Sequence, residues 1–127
     1  VGCAVPLDES RLNLVTGLSG SGPAYVYYLM EAMIEAGVEG GLTPEEARLL
    51  VVQTVLGAAR MVETTGEDPA ALRAKVTSPN GTTFAALGVL EEFRFRDAMV
   101  QAIRRASARA GEMGDDIATA VLMPRQD

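Results

Sequence analysis

Prolines punctuate this chain of 127 residues, and four of the six follow a residue suited to start a helix: Ser21-Gly22-Pro23, Thr43-Pro44, Asp68-Pro69 and Ser78-Pro79. Proline's fixed φ and missing N–H suit the first helical position, and a preceding Ser, Thr or Asp oxygen can accept an otherwise orphaned amide. Thr43 with Glu46 three residues on reads as a capping box. Each mark therefore opens a helix rather than breaking one. From these marks the sequence predicts a short helix near Glu9 to Val15 and long ones at Pro23 to Ala36 and Pro44 to Thr65. A short helix at Pro69 to Lys75 follows, then Gly81 to Glu92 and Arg96 to Met113, with Gly37, Gly66 and Gly114 as closing residues. No segment alternates with period two, so the expected fold is all-α.

Two of these helices are too apolar for a lone bundle of this length. Tyr25 to Ala36 carries charge only at Glu31 and Glu35, and Leu49 to Ala59 is interrupted only by Gln53 and Thr54. A helix apolar nearly all round needs cover on more than one side, and the expected cover is another subunit. The alternative is a central helix enclosed by its own chain. The longest charge-free stretch, Leu12 to Met30, holds Asn13, Thr16, Ser19, Ser21, three glycines and Pro23, which excludes a membrane span.

Composition narrows the chemistry. With 17 acids against 11 bases the formal charge is −6, which disfavours a nucleic-acid partner. Arg104, Arg105 and Arg109 then read as a solvated or salt-bridged face. There is no histidine, so imidazole acid–base catalysis and His-ligated zinc are excluded from these residues, and no metal site is expected. The single cysteine, Cys3, has no partner in the chain and points to a reducing, cytoplasmic setting. The opening Val1-Gly2-Cys3 lacks the basic flank and apolar run of a signal peptide and reads as the start of a fragment. Pro124 to Asp127 read as a polar, frayed tail.

Two segments invite a ligand. Thr16-Gly17-Leu18-Ser19-Gly20-Ser21-Gly22-Pro23 fails as a dinucleotide fingerprint, because Tyr25 sits where the third glycine belongs and no strand precedes it. It fails as a phosphate loop because Pro23 occupies the lysine position. A flexible turn feeding a helix is what survives, where the chain can pass close to another backbone or a ligand; a tight connection between packed helices is the competing reading. The second segment, Val76-Thr77-Ser78-Pro79-Asn80-Gly81-Thr82-Thr83, ends one helix and begins another. It presents the amides of Gly81, Thr82 and Thr83 at a positive helix end, where a carboxylate or phosphate can bind. An ordinary Ser-Pro helix start is the competing reading.

These two phrases, about fifty residues apart and followed by Leu90-Glu91, resemble the C-terminal domain of the pyrroline-5-carboxylate reductase family, from about Glu9 to Gly114. The resemblance implies a single helical dimerisation and substrate-binding domain over residues 1–127, of the kind found C-terminally in 6-phosphogluconate dehydrogenase, interleaved with a second subunit. It further implies a homodimer, possibly a decamer, and reduction of 1-pyrroline-5-carboxylate to L-proline, the last step of proline biosynthesis. The hydride donor would be NADPH or NADH, bound mainly by an N-terminal Rossmann domain outside these residues, so the isolated chain should not turn over. The family's substrate loop falls on Ser78 to Thr83: the backbone around Gly81, Thr82 and Thr83 would grip the carboxylate, and the Thr83 hydroxyl would reach the ring nitrogen.

The family's cofactor contact falls on Lys75 and Val76, with Lys75 where asparagine is common. Asn80 replaces the loop's usual first glycine; asparagine tolerates left-handed angles, so the turn can survive. The acid that the family places before its first helix here matches Glu9. It would stabilise an iminium charge or simply favour the helix dipole. A non-catalytic helical oligomerisation module, and the helical domain of another imine or β-hydroxyacid dehydrogenase, remain the alternatives.

Overall fold

The computed structural model describes residues 8–122, with side chains described over 8–118; Cys3 and the tail Pro124 to Asp127 lie outside these residues. Six α-helices and one π-helical turn account for nearly all of the described backbone, and no strand occurs among the described residues. The all-α expectation is met. Residues 8–24 with 96–122 group into one compact unit, and Tyr25–Phe95 into a second.

In the first unit, α1 (Glu9–Val15) opens under Asp8, whose carboxylate accepts the Arg11 amide at 3.0 Å. That amide, and then the Ser10 hydroxyl, hold the Asp8 carboxyl below its ordinary range. The segment expected to be a flexible turn is instead a π-helical turn, Thr16–Gly20, that continues α1 directly. Its hydroxyls turn inward on the backbone: Thr16 donates to the Leu12 carbonyl at 3.1 Å and Ser19 to Val15 at 3.0 Å. Close approach explains the glycine. A Cβ at the buried Gly17 would stand 2.8 Å from the Ser107 nitrogen and 2.9 Å from the Ile103 oxygen of α6 (Phe95–Leu122). On the exposed side of α6, Arg105 and Arg109 both bind Glu112, at 3.1 and 3.2 Å, and hold that carboxyl below its usual range. The salt-bridged face expected of these arginines is present at those two.

The second unit holds α2 from Tyr25 onward (the helix spans Gly22–Glu39), α3 (Pro44–Thr65), α4 (Pro69–Lys75) and α5 (Thr82–Glu92). Helix α3 has both expected boundaries. Thr43 accepts the Glu46 amide at 3.1 Å while Glu46 accepts the Thr43 amide at 2.9 Å, and Gly66 closes the helix with φ 67°. Left-handed backbone is why glycine stands there. Gly37 and Gly114 close nothing, since both lie inside longer helices. Gly37 is small for another reason: a Cβ there would press Ala47 at 3.1 Å.

Very little of this is a core. Among the described residues only Ala47 and Val51 are buried apolar side chains. All three phenylalanines are exposed, Phe93 at 77%, and so are Tyr28 at 76% and Leu49 at 63%. The two helices read as apolar all round thus keep their apolar faces in water, and the enclosed-helix alternative fails on that exposure. No described helix is long and apolar enough to cross a membrane.

Four outcomes follow from this packing and capping. Sedimentation equilibrium of the chain should return a dimer or larger species, and a folded monomer at micromolar concentration would contradict the exposed faces. Replacing Gly17 by Ala should destabilise the assembly by about 1–3 kcal/mol through forced helix separation, read in a denaturant melt. Thr43→Ala should cost about 1 kcal/mol. Because the Thr43 amide and hydroxyl lower the folded Glu46 pKa, the capping box contributes fully above the ordinary 4.5. Its contribution fades as pH falls through the lowered value. The acid limb of the melt should therefore flatten in Glu46→Gln.

Candidate functional site

The second ligand segment folds as a fastened turn between two helices. Helix α4 begins with Pro69 and ends with Lys75; its last carbonyls are taken by the Val76 amide, to Arg73 at 3.2 Å, and the Thr77 amide, to Ala74 at 3.2 Å. The Thr77 hydroxyl donates to the same Arg73 carbonyl at 2.6 Å. Then the chain reverses. The Gly81 amide donates to the Ser78 carbonyl at 3.0 Å, with Pro79 and Asn80 between them and Asn80 at φ 58°. Proline second and a left-handed residue third is the type II arrangement, and asparagine tolerates it. The expected tolerance of Asn80 is met. Pro79, however, opens no helix: α5 begins at Thr82, because the Ser-Pro pair is spent on the turn.

Gly81 serves as the cap of α5 without a side chain that could fill the cap. A Cβ there would overlap the Ser78 hydroxyl and approach the Ser78 carbonyl at 3.2 Å. The first helical bond runs from Ala85 to Gly81 at 3.1 Å, and no side chain caps the amides of Thr82, Thr83 and Phe84. The adjacent hydroxyls are also uncommitted. Thr16, Ser19, Thr54, Thr65 and Thr77 each donate to the carbonyl four residues back. Among the described residues, Ser78, Thr82 and Thr83 have no such bond, since four residues back from Thr82 and Thr83 the chain is a turn. Thr83 and Gly81 are half-buried, whereas Ser78, Asn80 and Thr82 are exposed.

Charge around the turn favours an anion. No acid occurs between Asp68 and Glu91, while Arg73 and Lys75 both do, against the negative balance of the whole chain. Free amides at a helix start and three hydroxyls without an intrachain bond among the described residues are groups that could hold a small oxyanion, with Arg73 nearby and Lys75 paired to Glu67. Two grooves flank α4. One, of about 440 Å³, is apolar and lined by Ala58, Met61, Val62, Pro69, Leu72 and Val76. The other, of about 430 Å³, lies against Arg73, Thr77, Phe84, Leu87 and Glu91.

The structure brings Ser78, Gly81, Thr82 and Thr83 into one turn and sets Lys75 and Val76 at its entrance. Val76 is 68% exposed, and the Lys75 ammonium is paired with Glu67. Glu9 belongs to the first unit, exposed on the opening turn of α1, where Asp8 rather than Glu9 caps the helix. Thr77 escaped the sequence reading, although a threonine four residues after Arg73 at a helix end was the available signal. No cluster of His, Cys, Asp or Glu suited to a metal occurs among the described residues.

The family model described as pyrroline-5-carboxylate reductase dimerisation matches residues 9–113. Pyrroline-5-carboxylate reductase of Synechocystis is 47% identical over 114 residues, which is 90% of this chain and 43% of that protein. The Arabidopsis thaliana enzyme of the same name is 47% identical over 89% of this chain and 41% of its own length. Among solved structures, the Coxiella burnetii pyrroline-5-carboxylate reductase superposes with a TM-score of 0.81 at 47% identity, covering 84% of this chain and 40% of that one. The NADP-bound pyrroline carboxylate reductase of Plasmodium falciparum gives 0.83 at 34% identity, over 89% and 43%. The chain thus spans about two-fifths of the relatives it matches, and over that span it belongs to the pyrroline-5-carboxylate reductase family, as its dimerisation domain.

Proposed function

We propose that these residues form the dimerisation and substrate-carboxylate domain of an NAD(P)H-dependent pyrroline-5-carboxylate reductase acting in the cytoplasm, which converts 1-pyrroline-5-carboxylate to L-proline. The observation that carries this reading is the uncapped start of α5, where the amides of Thr82 and Thr83 lie beside three hydroxyls that have no intrachain bond among the described residues. A pyrroline carboxylate is a small anion bearing a C=N bond. Fixing its acid group at a helix end orients the ring, which is catalysis by positioning.

In this reading the backbone at Gly81, Thr82 and Thr83 holds the carboxylate, with Ser78 alongside. The Thr83 hydroxyl holds the ring nitrogen. One hydride and one proton add across the C=N bond, and the proton is on the nitrogen before reduction or arrives there through Thr83 or water. The exposed apolar Val76 and Lys75 would meet the edge of a dinucleotide, where Lys75 would bring a full positive charge in place of a carboxamide's neutral donors once it leaves Glu67. When bound, that cofactor supplies the hydride. No glycine-rich strand-to-helix turn occurs among the described residues, so its main seat is proposed on a Rossmann domain elsewhere in the full-length protein. The exposed faces of α2 and α3 support a homodimer with interleaved helices, and the family resemblance extends this to rings of dimers forming a decamer.

In the full-length protein, Thr83→Ala should lower kcat/KM by about tenfold to a hundredfold in steady-state assays, as loss of a hydrogen bond made in the transition state. Turnover near that of the parent would remove Thr83 from the mechanism. Proline should bind the parent saturably in calorimetry and fail to bind Thr83→Val. A well-folded dimer that binds no proline would favour a purely assembling module.

A further inference from the structure

We propose that Thr77 is a positioning residue for the substrate turn, fixing through its hydroxyl the point where the turn leaves the end of α4. The inference rests on the proposed function, because it concerns the same turn. Thr77 is half-buried, unlike its exposed neighbours Val76 and Ser78. Its hydroxyl donates to the Arg73 carbonyl at 2.6 Å, among the shortest hydrogen bonds in the chain. That carbonyl also receives the Val76 amide, so one oxygen fixes two successive residues at the point where the turn departs. On the other side, Thr77 lines the groove that also touches Phe84 and Leu87 of α5. A β-branched side chain has few rotamers, so holding the hydroxyl on α4 also fixes where the methyl lies.

The consequence falls on Ser78, the next residue, whose carbonyl receives the Gly81 amide and closes the turn. Helix α4 has only seven residues, and Asp68 makes no side-chain cap bond to it, so its own hydrogen bonds hold it weakly. An anchor at its last turn therefore matters more than in a long helix. Without the hydroxyl, the turn would still form but would wander relative to the α5 amides, loosening a carboxylate grip that depends on placement.

The test uses the full-length protein with Thr77→Val, which keeps the shape and loses the hydroxyl, and Thr77→Ser, which keeps the hydroxyl and loses the methyl. Thr77→Val should raise KM for pyrroline-5-carboxylate by about threefold to tenfold with kcat within about twofold, and Thr77→Ser should recover most of the loss. KM for the nicotinamide cofactor should stay unchanged in both. Equal KM in the parent and Thr77→Val overturns the proposal, as does a Thr77→Ser variant no better than Thr77→Val. A general loss of fold would lower kcat and the melting temperature together, and that pattern also counts against a positioning role. The Thr83→Ala enzyme separates the two levels: if it is damaged while Thr77→Val is silent, only the Thr77 inference fails. If Thr83→Ala is itself silent, the Thr83 hydroxyl has no part in the reaction, and the proposed function fails at that residue rather than at Thr77.

Discussion

Apolar surface that a single chain cannot cover governs this molecule. Ala47 and Val51 are the buried apolar side chains among the described residues, while Leu49, Leu50, Tyr27, Tyr28 and every phenylalanine face solvent. At roughly 25 cal/mol for each Å² removed from water, covering such faces is the largest stabilisation still open to the protomer. Obligate homodimers have interfaces of this kind, resembling a domain core cut in half. In the proposed homodimer, folding and assembly would be one equilibrium, and stability would depend on protomer concentration. Helix propensity, caps and turn chemistry shape the elements, and in the proposed homodimer the partner would supply most of what holds them together.

The helices were legible wherever their ends are set by local chemistry. Thr43, Glu46 and Pro44 open α3 and Gly66 closes it, and both boundaries agree with the sequence to the residue. The failures share a physical cause. Gly37 reads like a terminator, yet it is a contact point for Ala47, and Gly114 is simply carried along inside α6. The Thr16 to Pro23 run reads as a flexible turn able to pass close to another backbone; the close approach is met at Gly17 and the flexibility is not. Here Gly17 is small so that two backbones can meet, and hydroxyls bonded four residues back keep the segment helical. Sequence shows that a glycine is present; only packing shows which of its properties is in use.

The candidate site divides in the same way. Exposed amides at the start of α5 and a tolerant Asn80 follow from helix-end physics and from the backbone range of asparagine, and both were visible beforehand. The exact start of α5 was not. Ser78-Pro79 looks like a helix opening, but the Ser78 carbonyl is taken by the Gly81 amide, which pushes the first helical residue to Thr82. The anchoring by Thr77 was hidden too, since a hydroxyl that faces backward along a helix leaves only a spacing in the sequence. Roles for Lys75, Val76 and Glu9 came from family resemblance alone, and no pattern of charge or period would have singled them out.

The Asn80-Gly81 pair carries one more consequence. Asparagine followed by glycine is prone to lose ammonia, through attack of the next residue's backbone nitrogen on the carboxamide carbon, and asparagine counts among the thermolabile residues for this reason. In this turn the attacking nitrogen is already engaged, its proton donated to the Ser78 carbonyl at 3.0 Å. The bond that closes the turn therefore also slows its chemical ageing, and it keeps away from the start of α5 the new negative charge that deamidation would leave there.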